Sequence, residues 1–199
     1  MINIDFLSNI LYKSGVLKYK RGGLNMKKLE EYVRNIENFP KEGIIFRDIT
    51  TVIGDKDGFK LAVDGIIEKI KDDDFNIVVG PESRGFIFGA PVAYALNKAF
   101  VLIRKKGKLP CETISEDYEL EYGTATLEMH KDSIKPGDKV VIIDDLIATG
   151  GTTKAMIKLI ERLGGEVVKV CNVIELVDLK ARENLEGYKL DSLIQFEGE

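Results

Sequence analysis

Short, continuous apolar runs alternate along this chain with stretches in which apolar residues recur every three or four positions. Runs of this kind are typical of parallel strands buried on both faces, and they cover 75–79, 99–103, 140–143, 166–174 and 191–196. The helical spacing predicts helices over 27–38, 58–71, 86–97 and a stretch that begins near 153 and ends at 164. Strands that alternate with helices predict an α/β fold, an open parallel sheet flanked by helices.

Two segments do not follow this alternation. Residues 109–122 form a long acidic connection without a clear period, which predicts a lid, and 123–128 alternate like a hairpin strand that returns from it. Residues 1–25 do not match the rest, and we expect them to lie upstream of a natural start at Met26, so that the domain covers 26–199. An amphipathic arm used in oligomer contacts is the alternative, and mass spectrometry of the native protein distinguishes the two.

The composition of the chain limits which partners it can bind and in which cellular compartment we expect it. The chain has 199 residues, 44% hydrophobic and 31% charged, which is enough for one domain with a buried core. Its formal net charge of -4 argues against nucleic acid or an anionic membrane as partner, and no apolar run is long enough to span a bilayer. Two cysteines cannot form a disulfide framework, so we expect a cytoplasmic protein.

The candidate chemistry is concentrated in the sequence KVVIIDDLIATGGTT, residues 139–153. An apolar strand leads to Asp144 and Asp145, and a turn rich in Gly and Thr then leads into a helix. Glycines and a helix N-terminus present backbone N–H groups to a phosphate, and two carboxylates accept hydrogen bonds from neighbouring sugar hydroxyls. The pattern therefore indicates a ribose 5-phosphate site, against the alternative of a plain acidic connection between strand and helix.

Two further loops leave predicted strands at their carboxyl ends. Ser83 and Arg84 follow the strand 75–79 in the sequence GPESRGF, and the cationic sequence RKKGK follows the strand 99–103. In open α/β sheets ligands bind outside the carboxyl ends of the strands, so these loops should share one crevice with the turn after Asp145. A phosphate and a pyrophosphate would fill it.

The sequences FPKEGIIFRDIT, GPESRGF, IRKKGKLP, LEYGT and VVIIDDLIATGGTT occur in an order and spacing that resemble the type I phosphoribosyltransferases, and within them the branch that uses adenine. The resemblance covers about 27–199 and leaves 1–25 outside. It implies the phosphoribosyltransferase fold with a small N-terminal hood and a flexible lid. It also implies transfer of the 5-phosphoribosyl group of 5-phosphoribosyl-1-pyrophosphate (PRPP) to adenine, giving AMP and pyrophosphate, with Mg²⁺ held through PRPP and water, in a homodimer.

The resemblance also assigns roles to residues. The ribose and 5-phosphate would be bound by Asp144, Asp145, Ala148, Thr149, Gly150, Gly151 and Thr152. Pyrophosphate would meet Glu82, Ser83, Arg84, Arg104, Lys105 and Lys108, with Arg104 expected to reach the neighbouring subunit's site. Adenine would lie against Ile45, Phe46, Arg47 and Leu176. The catalytic groups would be Glu121, Arg84 and Lys108, with Tyr122 in the lid and a cis peptide bond between Glu82 and Ser83.

Several alternatives remain open at this stage. Phe46 is otherwise a core phenylalanine, and Glu121 a surface glutamate of the lid. Within the family, an enzyme for a 6-oxopurine base is the nearest rival, although such enzymes usually present a lysine to the exocyclic oxygen. Two alternatives are not enzymes of this kind: a non-catalytic regulator on the same fold that senses PRPP or a purine, and an unrelated flavodoxin-like binding domain. The second leaves the lid and the cationic loops unexplained.

Overall fold

The computed structural model describes residues 27–120 and 123–198. Residues 1–25 and the proposed start at Met26 lie outside this part of the chain and stay a prediction. The described strands are β1 (Arg34–Glu37), β2 (Ile45–Asp48), β3 (Ile77–Pro81), β4 (Ala99–Lys105), β5 (Thr113–Leu120), β6 (Gly123–His130), β7 (Lys139–Ile147), β8 (Glu166–Leu176) and β9 (Leu190–Phe196). The helices are α1 (Thr50–Gly54), α2 (Lys56–Ile70), α3 (Arg84–Ala95), α4 (Gly151–Arg162) and α5 (Ala181–Asn184).

A seven-stranded sheet with the order β5-β6-β4-β3-β7-β8-β9 organises the molecule. Strands β4, β3, β7, β8 and β9 are parallel, and the antiparallel hairpin β5–β6 extends the sheet beyond β4. This confirms the predicted α/β architecture with an open, mostly parallel sheet flanked by helices.

Both faces of the central strand β7 are buried, as its unbroken apolar run predicts. Val140 and Ile142 belong to a core cluster on the side of α4, and Val141 and Ile143 to a second cluster on the side of α2 and α3. All four side chains are fully buried. Two hydrophobic layers therefore fix β7, and with it the segment that carries the candidate chemistry.

The helix predicted over 27–38 is wrong. A 3-10 turn, Leu29–Tyr32, is followed by extended backbone at Val33 and by β1, which pairs with β2 in a separate two-stranded sheet. Leu29, Tyr32 and Val33 do pack against the second core cluster, so the apolar spacing reflects burial but not a helix. Pairing with β2, which is distant in sequence, decides the conformation.

An ion pair joins β1 and β2, the two strands of the small N-terminal sheet, which is called the hood below. Arg34 Nε donates to Asp48 Oδ2 over 3.0 Å, and the Thr50 hydroxyl donates to Asp48 Oδ1 over 2.6 Å. The hydrogen bonds from Thr50 and Arg34 lower the pKa of Asp48 to about 2. Asp48 therefore stays ionised at neutral pH and holds β2, with the residues before it, against β1 and α1.

The acidic connection 109–122, which shows no clear period in the sequence, forms a strand over most of its length, and its role as a lid stays a prediction. Thr113–Leu120 is strand β5, paired residue by residue with β6 from Thr113 opposite His130 to Leu120 opposite Gly123. The returning strand of the hairpin is confirmed as β6.

One charged side chain hides the alternation of β5. Ile114 and Tyr118 pack against the core, and Glu116 lies between them in sequence and binds Lys158 Nζ at 2.7 Å and Arg162 Nη1 at 3.2 Å on α4. Glu116 satisfies its charge against the helix, so a polar residue occupies a position that faces inward.

Within the described residues, no helix is both long enough and apolar enough to cross a membrane.

Candidate active site

The predicted unit of strand, turn and helix is present, with one difference at the aspartates. β7 does not end before Asp144 and Asp145 but continues through both to Ile147. Residues 148–150 form the turn, and α4 begins at Gly151. Gly150 has φ +83, a left-handed conformation that favours glycine, so this residue type is required where the chain enters the helix.

One cavity of about 460 Å³ lies at the carboxyl ends of β3 and β7. Its walls come from the loop after β3, the end of β4, the hairpin strand β5 and the turn after β7. The residues that line it are Pro81, Glu82, Ser83, Arg84, Lys105, Tyr118, Asp144, Asp145, Leu146, Ile147, Ala148, Thr149, Gly150, Gly151, Thr152 and Thr153. The predicted ribose-phosphate residues and four of the predicted pyrophosphate residues are thus brought together.

Two residues that line this cavity, one at the start of α3 and one on β7, form a salt bridge. Arg84 Nε lies 2.6 Å from Asp145 Oδ2, and the Asp145 side chain is 6% exposed while that of Arg84 is 47% exposed. The loop after β3 therefore meets the β7 carboxylates directly, and a guanidinium at the cavity can contact an anion while it remains paired.

The two aspartates differ in their electrostatic setting. Burial, followed by the neighbouring charge of Asp145, raises the pKa of Asp144 well above its ordinary value. Burial also raises the pKa of Asp145, against the opposing effect of the Arg84 guanidinium. Because an unpaired charge is costly at such a position, ligand hydroxyls that donate hydrogen bonds to these carboxylates would stabilise their ionised form.

The loop after β3 has the predicted cis peptide bond between Glu82 and Ser83. The helix α3 begins one residue later, and its second residue, Gly85, packs closely against the loop. A Cβ atom at Gly85 would lie 2.5 Å from Pro81 Cδ and 3.0 Å from Asp144 Oδ1. Only glycine allows this helix to begin so near the aspartates.

The cationic loop contributes one residue to the cavity wall and is joined by an ion pair to the loop after β3. Lys105 lines the cavity, whereas Arg104 and Lys108 are not among the lining residues. Arg104 Nε lies 2.6 Å from Glu82 Oε2 in the same chain, and its Nη1 donates to the Lys108 carbonyl over 3.1 Å. Arg104 thus ties the loop after β3 to the cationic loop. The sequence did not predict this contact.

The four predicted adenine-wall residues do not line this cavity. Phe46 lies outside both core clusters, half-buried, with its ring 5.3 Å from that of Phe39, so the core interpretation of Phe46 is not supported. The Arg47 guanidinium lies 4.2 Å from the Phe196 ring, and Phe196 is paired with Leu176 across β8 and β9. Ile45 is the first residue of β2.

Tyr118 is a cavity residue that the sequence did not predict. The alternation of Ile114, Tyr118 and Leu120 was a signal for a strand, but the charge of Glu116 obscured it. Glu121 and Tyr122 follow directly and lie outside the described residues, so their predicted roles stay predictions.

Comparison with known proteins agrees with this geometry. The phosphoribosyl transferase domain family matches residues 50–195. The adenine phosphoribosyltransferase of Lachnoclostridium phytofermentans is 65% identical over 173 residues, which cover 87% of this chain and 99% of that protein.

Solved structures agree as well. The structure of adenine phosphoribosyltransferase from Thermoanaerobacter pseudethanolicus superposes with a TM-score of 0.81 at 49% identity, covering 85% of this chain and 100% of that one. The enzyme of Saccharomyces cerevisiae, solved with an imino-altritol bisphosphate and adenine, gives a TM-score of 0.78 at 37% identity over 83% of this chain and 96% of that one. The chain belongs to the phosphoribosyltransferase family, in its adenine phosphoribosyltransferase branch.

Proposed function

We propose that this enzyme works in purine salvage and transfers the 5-phosphoribosyl group of PRPP to adenine, giving AMP and pyrophosphate. One observation carries the proposal: a single cavity joins the turn 148–150 with the start of α4, the two aspartates of β7 and the loop after β3, with Arg84 bridging to Asp145. PRPP has a phosphate, a diol and a pyrophosphate, and these three loops offer a complementary group for each.

The ribose 5-phosphate half of PRPP would occupy the β7 side of the cavity. The backbone N–H groups at the start of α4 carry partial positive charge and have no partner within the helix, so they suit the 5-phosphate. Asp144 and Asp145 would accept hydrogen bonds from the ribose hydroxyls. The phosphate cradle consists of Ala148, Thr149, Gly150, Gly151 and Thr152.

The pyrophosphate would lie on the opposite side, against the loop after β3. Ser83 and Arg84 offer a hydroxyl, helix N–H groups and a guanidinium, and Lys105 adds a second charge at the cavity. Arg104, held by Glu82, and Lys108 stand next to this wall, where their charges favour a polyanion. The expected reach of Arg104 to a neighbouring subunit's site belongs to this proposal.

Adenine would lie beside the hood, between β2 and the end of β8. Phe46 outside the core suits stacking on a flat base, and Ile45 and Leu176 supply apolar walls. The backbone of Arg47 offers a donor and an acceptor for the edge of the base, while its side chain is held by the Phe196 ring and by Asn35 Oδ1 at 2.9 Å. These four residues are the proposed base site.

The residues of the cavity also fit Mg²⁺. This ion binds oxygen, keeps several waters and is commonly held by one or two carboxylates together with substrate phosphates. Asp144 and Asp145 would hold it through water, beside the oxygens of PRPP. When bound, Mg²⁺ neutralises charge on the pyrophosphate leaving group.

The reaction breaks the bond from C1′ of ribose to pyrophosphate, which leaves with the electron pair, and forms a bond from C1′ to N9 of adenine, whose imidazole ring loses its proton. Positive charge develops on the sugar and negative charge on the leaving group, so fixed charges contribute more than a nucleophilic side chain. Arg84 and Lys108 stabilise the departing pyrophosphate, and the aspartates hold the sugar. The hairpin β5–β6 would keep water from the site, and Tyr122 is proposed to help it close over the substrates.

We also infer a cytoplasmic homodimer. Cys111 and Cys171 are both free thiols, as in a reducing compartment. On α3 and β4, Tyr94 is 89% exposed and Leu102 is 39% exposed, and a second copy of this chain would cover apolar surface there. Sedimentation of the purified protein as a monomer at micromolar concentration would contradict the dimer.

An assay of the purified protein with PRPP, Mg²⁺ and a panel of bases tests the function. We expect AMP and pyrophosphate from adenine, and turnover at least a hundredfold lower with guanine, hypoxanthine or xanthine, because a site that pairs with an amino group leaves polar groups unpaired against an oxo group. Removal of Mg²⁺ by EDTA should abolish transfer. A protein that binds PRPP but converts no base would be a regulator instead.

Glu121 is the proposed general acid-base group for a proton on the purine ring. The Glu121→Gln variant should lower kcat by about tenfold to a hundredfold, while KM for PRPP changes little, because general acid-base help is lost and phosphate binding is not. The exposed Glu119 of β5 offers a matched control, since Glu119→Gln removes the same charge two residues away. Equal kcat in wild type and Glu121→Gln would remove Glu121 from the mechanism.

A further inference from the structure

A short segment lies behind the turn 148–150 and contacts it without lining the cavity. This segment comprises residues 180–185, including α5, and is called the buttress below. Asn184 Nδ2 donates to the carbonyl of Thr149 over 2.8 Å. A Cβ atom at Gly150 would lie 3.3 Å from Leu185 Cγ and 3.6 Å from Ala181 Cα. The buttress thus contacts two successive residues of the turn.

The buttress is itself fixed to the sheet by an ion pair between the half-exposed Arg182 and the buried carboxylate of Glu175. Arg182 donates from Nε and Nη2 to the two carboxylate oxygens of Glu175, each over 2.7 Å, and from Nη1 to the Leu190 carbonyl over 2.9 Å. Gln195 Nε2 also donates to Glu175, over 3.0 Å. Burial raises the pKa of Glu175, but the hydrogen bonds from Arg182 and Gln195 outweigh it and hold the pKa below its ordinary value. The buttress is therefore clamped to β8 and β9 by a bidentate charged pair.

The hydrogen bond from Asn184 determines which way one peptide group faces. In a trans peptide the carbonyl and the following N–H point in opposite directions, so a Thr149 carbonyl held by Asn184 turns the Gly150 N–H away from the buttress. Gly150 has a left-handed φ of +83, and glycine allows this peptide to rotate more freely than any other residue would. Rotation would turn the carbonyl oxygen toward the phosphate, and the two would repel each other.

We propose that Asn184 is a positioning residue for the 5-phosphate of PRPP. It holds the peptide between Thr149 and Gly150 in the orientation that presents an N–H group, and not a carbonyl oxygen, to the phosphate. Pyrophosphate is bound by other loops and does not depend on Asn184. The inference deepens the proposed function, since it concerns the phosphate of the same substrate.

The test compares the wild type with Asn184→Leu, which removes the donor and keeps the number of side-chain heavy atoms and the branch at Cγ. Calorimetry with ribose 5-phosphate should give a Kd about threefold to tenfold higher for the variant, the effect of one lost hydrogen bond, and an unchanged Kd for pyrophosphate. KM for PRPP should rise by a similar factor, with a smaller change in kcat. Glu183→Gln is the control, because Glu183 is an exposed residue of the same helix and pairs only with the exposed Lys180 among the described ion pairs.

Two results would overturn the inference. One is an equal Kd for ribose 5-phosphate in wild type and Asn184→Leu. The other is an equal loss of ribose 5-phosphate and pyrophosphate affinity, which would mark a general disturbance of the fold. Binding is measured without turnover, so a wild type that binds ribose 5-phosphate but transfers nothing to adenine refutes the proposed function and leaves the inference to be decided by the variant. A wild type that does not bind ribose 5-phosphate refutes both.

Discussion

The Asp144→Asn variant is expected to unfold at a higher temperature than the wild type and to lose about tenfold to a hundredfold in kcat/KM. Burial and the charge of Asp145 raise the pKa of Asp144 well above its ordinary value, so the ionised carboxylate costs free energy in the folded state. A neutral amide of nearly the same volume avoids that cost. It makes weaker hydrogen bonds to the ribose hydroxyls than a carboxylate, which accounts for the lost activity.

The same shift predicts a dependence of stability on pH. Asp144 ionises at lower pH in the unfolded chain, so between its unfolded and folded pKa values the unfolded state binds fewer protons and the free energy of unfolding falls as pH rises. From about pH 4 upward, the melting temperature should fall less with rising pH in Asp144→Asn than in the wild type. Asp132→Asn, at an exposed turn after β6, is the control and should match the wild type in both measurements. A melting temperature below that of the wild type, or unchanged kcat/KM, would contradict the prediction.

The Gly150→Ala variant is expected to raise KM for PRPP by about tenfold to a hundredfold. A methyl group at this left-handed residue costs about 1 kcal/mol of strain. It would also lie 3.3 Å from Leu185 Cγ, tighter than ordinary van der Waals contact, so that turn and buttress must move apart. The N–H groups of the cradle would then no longer converge on the 5-phosphate.

Gly137 provides a control with the same backbone strain and no ligand nearby. It has φ +90, and a Cβ atom there would meet nothing within 4 Å. Both variants should lose unfolding free energy, measured by urea titration, and Gly150→Ala should lose more because its methyl group also crowds Leu185. Only Gly150→Ala should lose PRPP affinity. Equal KM values in the two variants would show that strain alone, and not the cradle, explains the effect.

Expectation and structure agree best where the chemistry lies in one continuous stretch. The local sequence is enough to predict the strand 140–143, the two carboxylates after it and the turn of Gly and Thr. An apolar run of this kind is buried on both faces, and glycine permits the close turn. The cis peptide bond between Glu82 and Ser83 followed from the resemblance of GPESRGF to the family. That these loops converge followed from the rule that ligands bind at the carboxyl ends of parallel strands.

Expectation failed where a partner distant in sequence decides the local conformation. Residues 34–37 form a strand because β2 pairs with them, although their apolar spacing also suits a helix. Residues 113–120 form a strand that includes an inward-facing charge, because α4 supplies the cations for Glu116. The limits of β4 and β7 extend past the apolar runs because neighbouring strands continue the hydrogen bonding.

The class of fold, the family and the candidate site residues could be predicted from the amino-acid sequence, because apolar periodicity, turn residues and motif spacing can be read along the chain. Three contacts became visible once the folded chain was seen: Arg84 with Asp145, Arg104 with Glu82, and Asn184 with the Thr149 carbonyl. Each of these contacts joins two segments that lie more than twenty residues apart in the sequence. No spacing along the chain encodes them, since they depend on the angles at which packed helices and strands deliver their ends to one edge of the sheet.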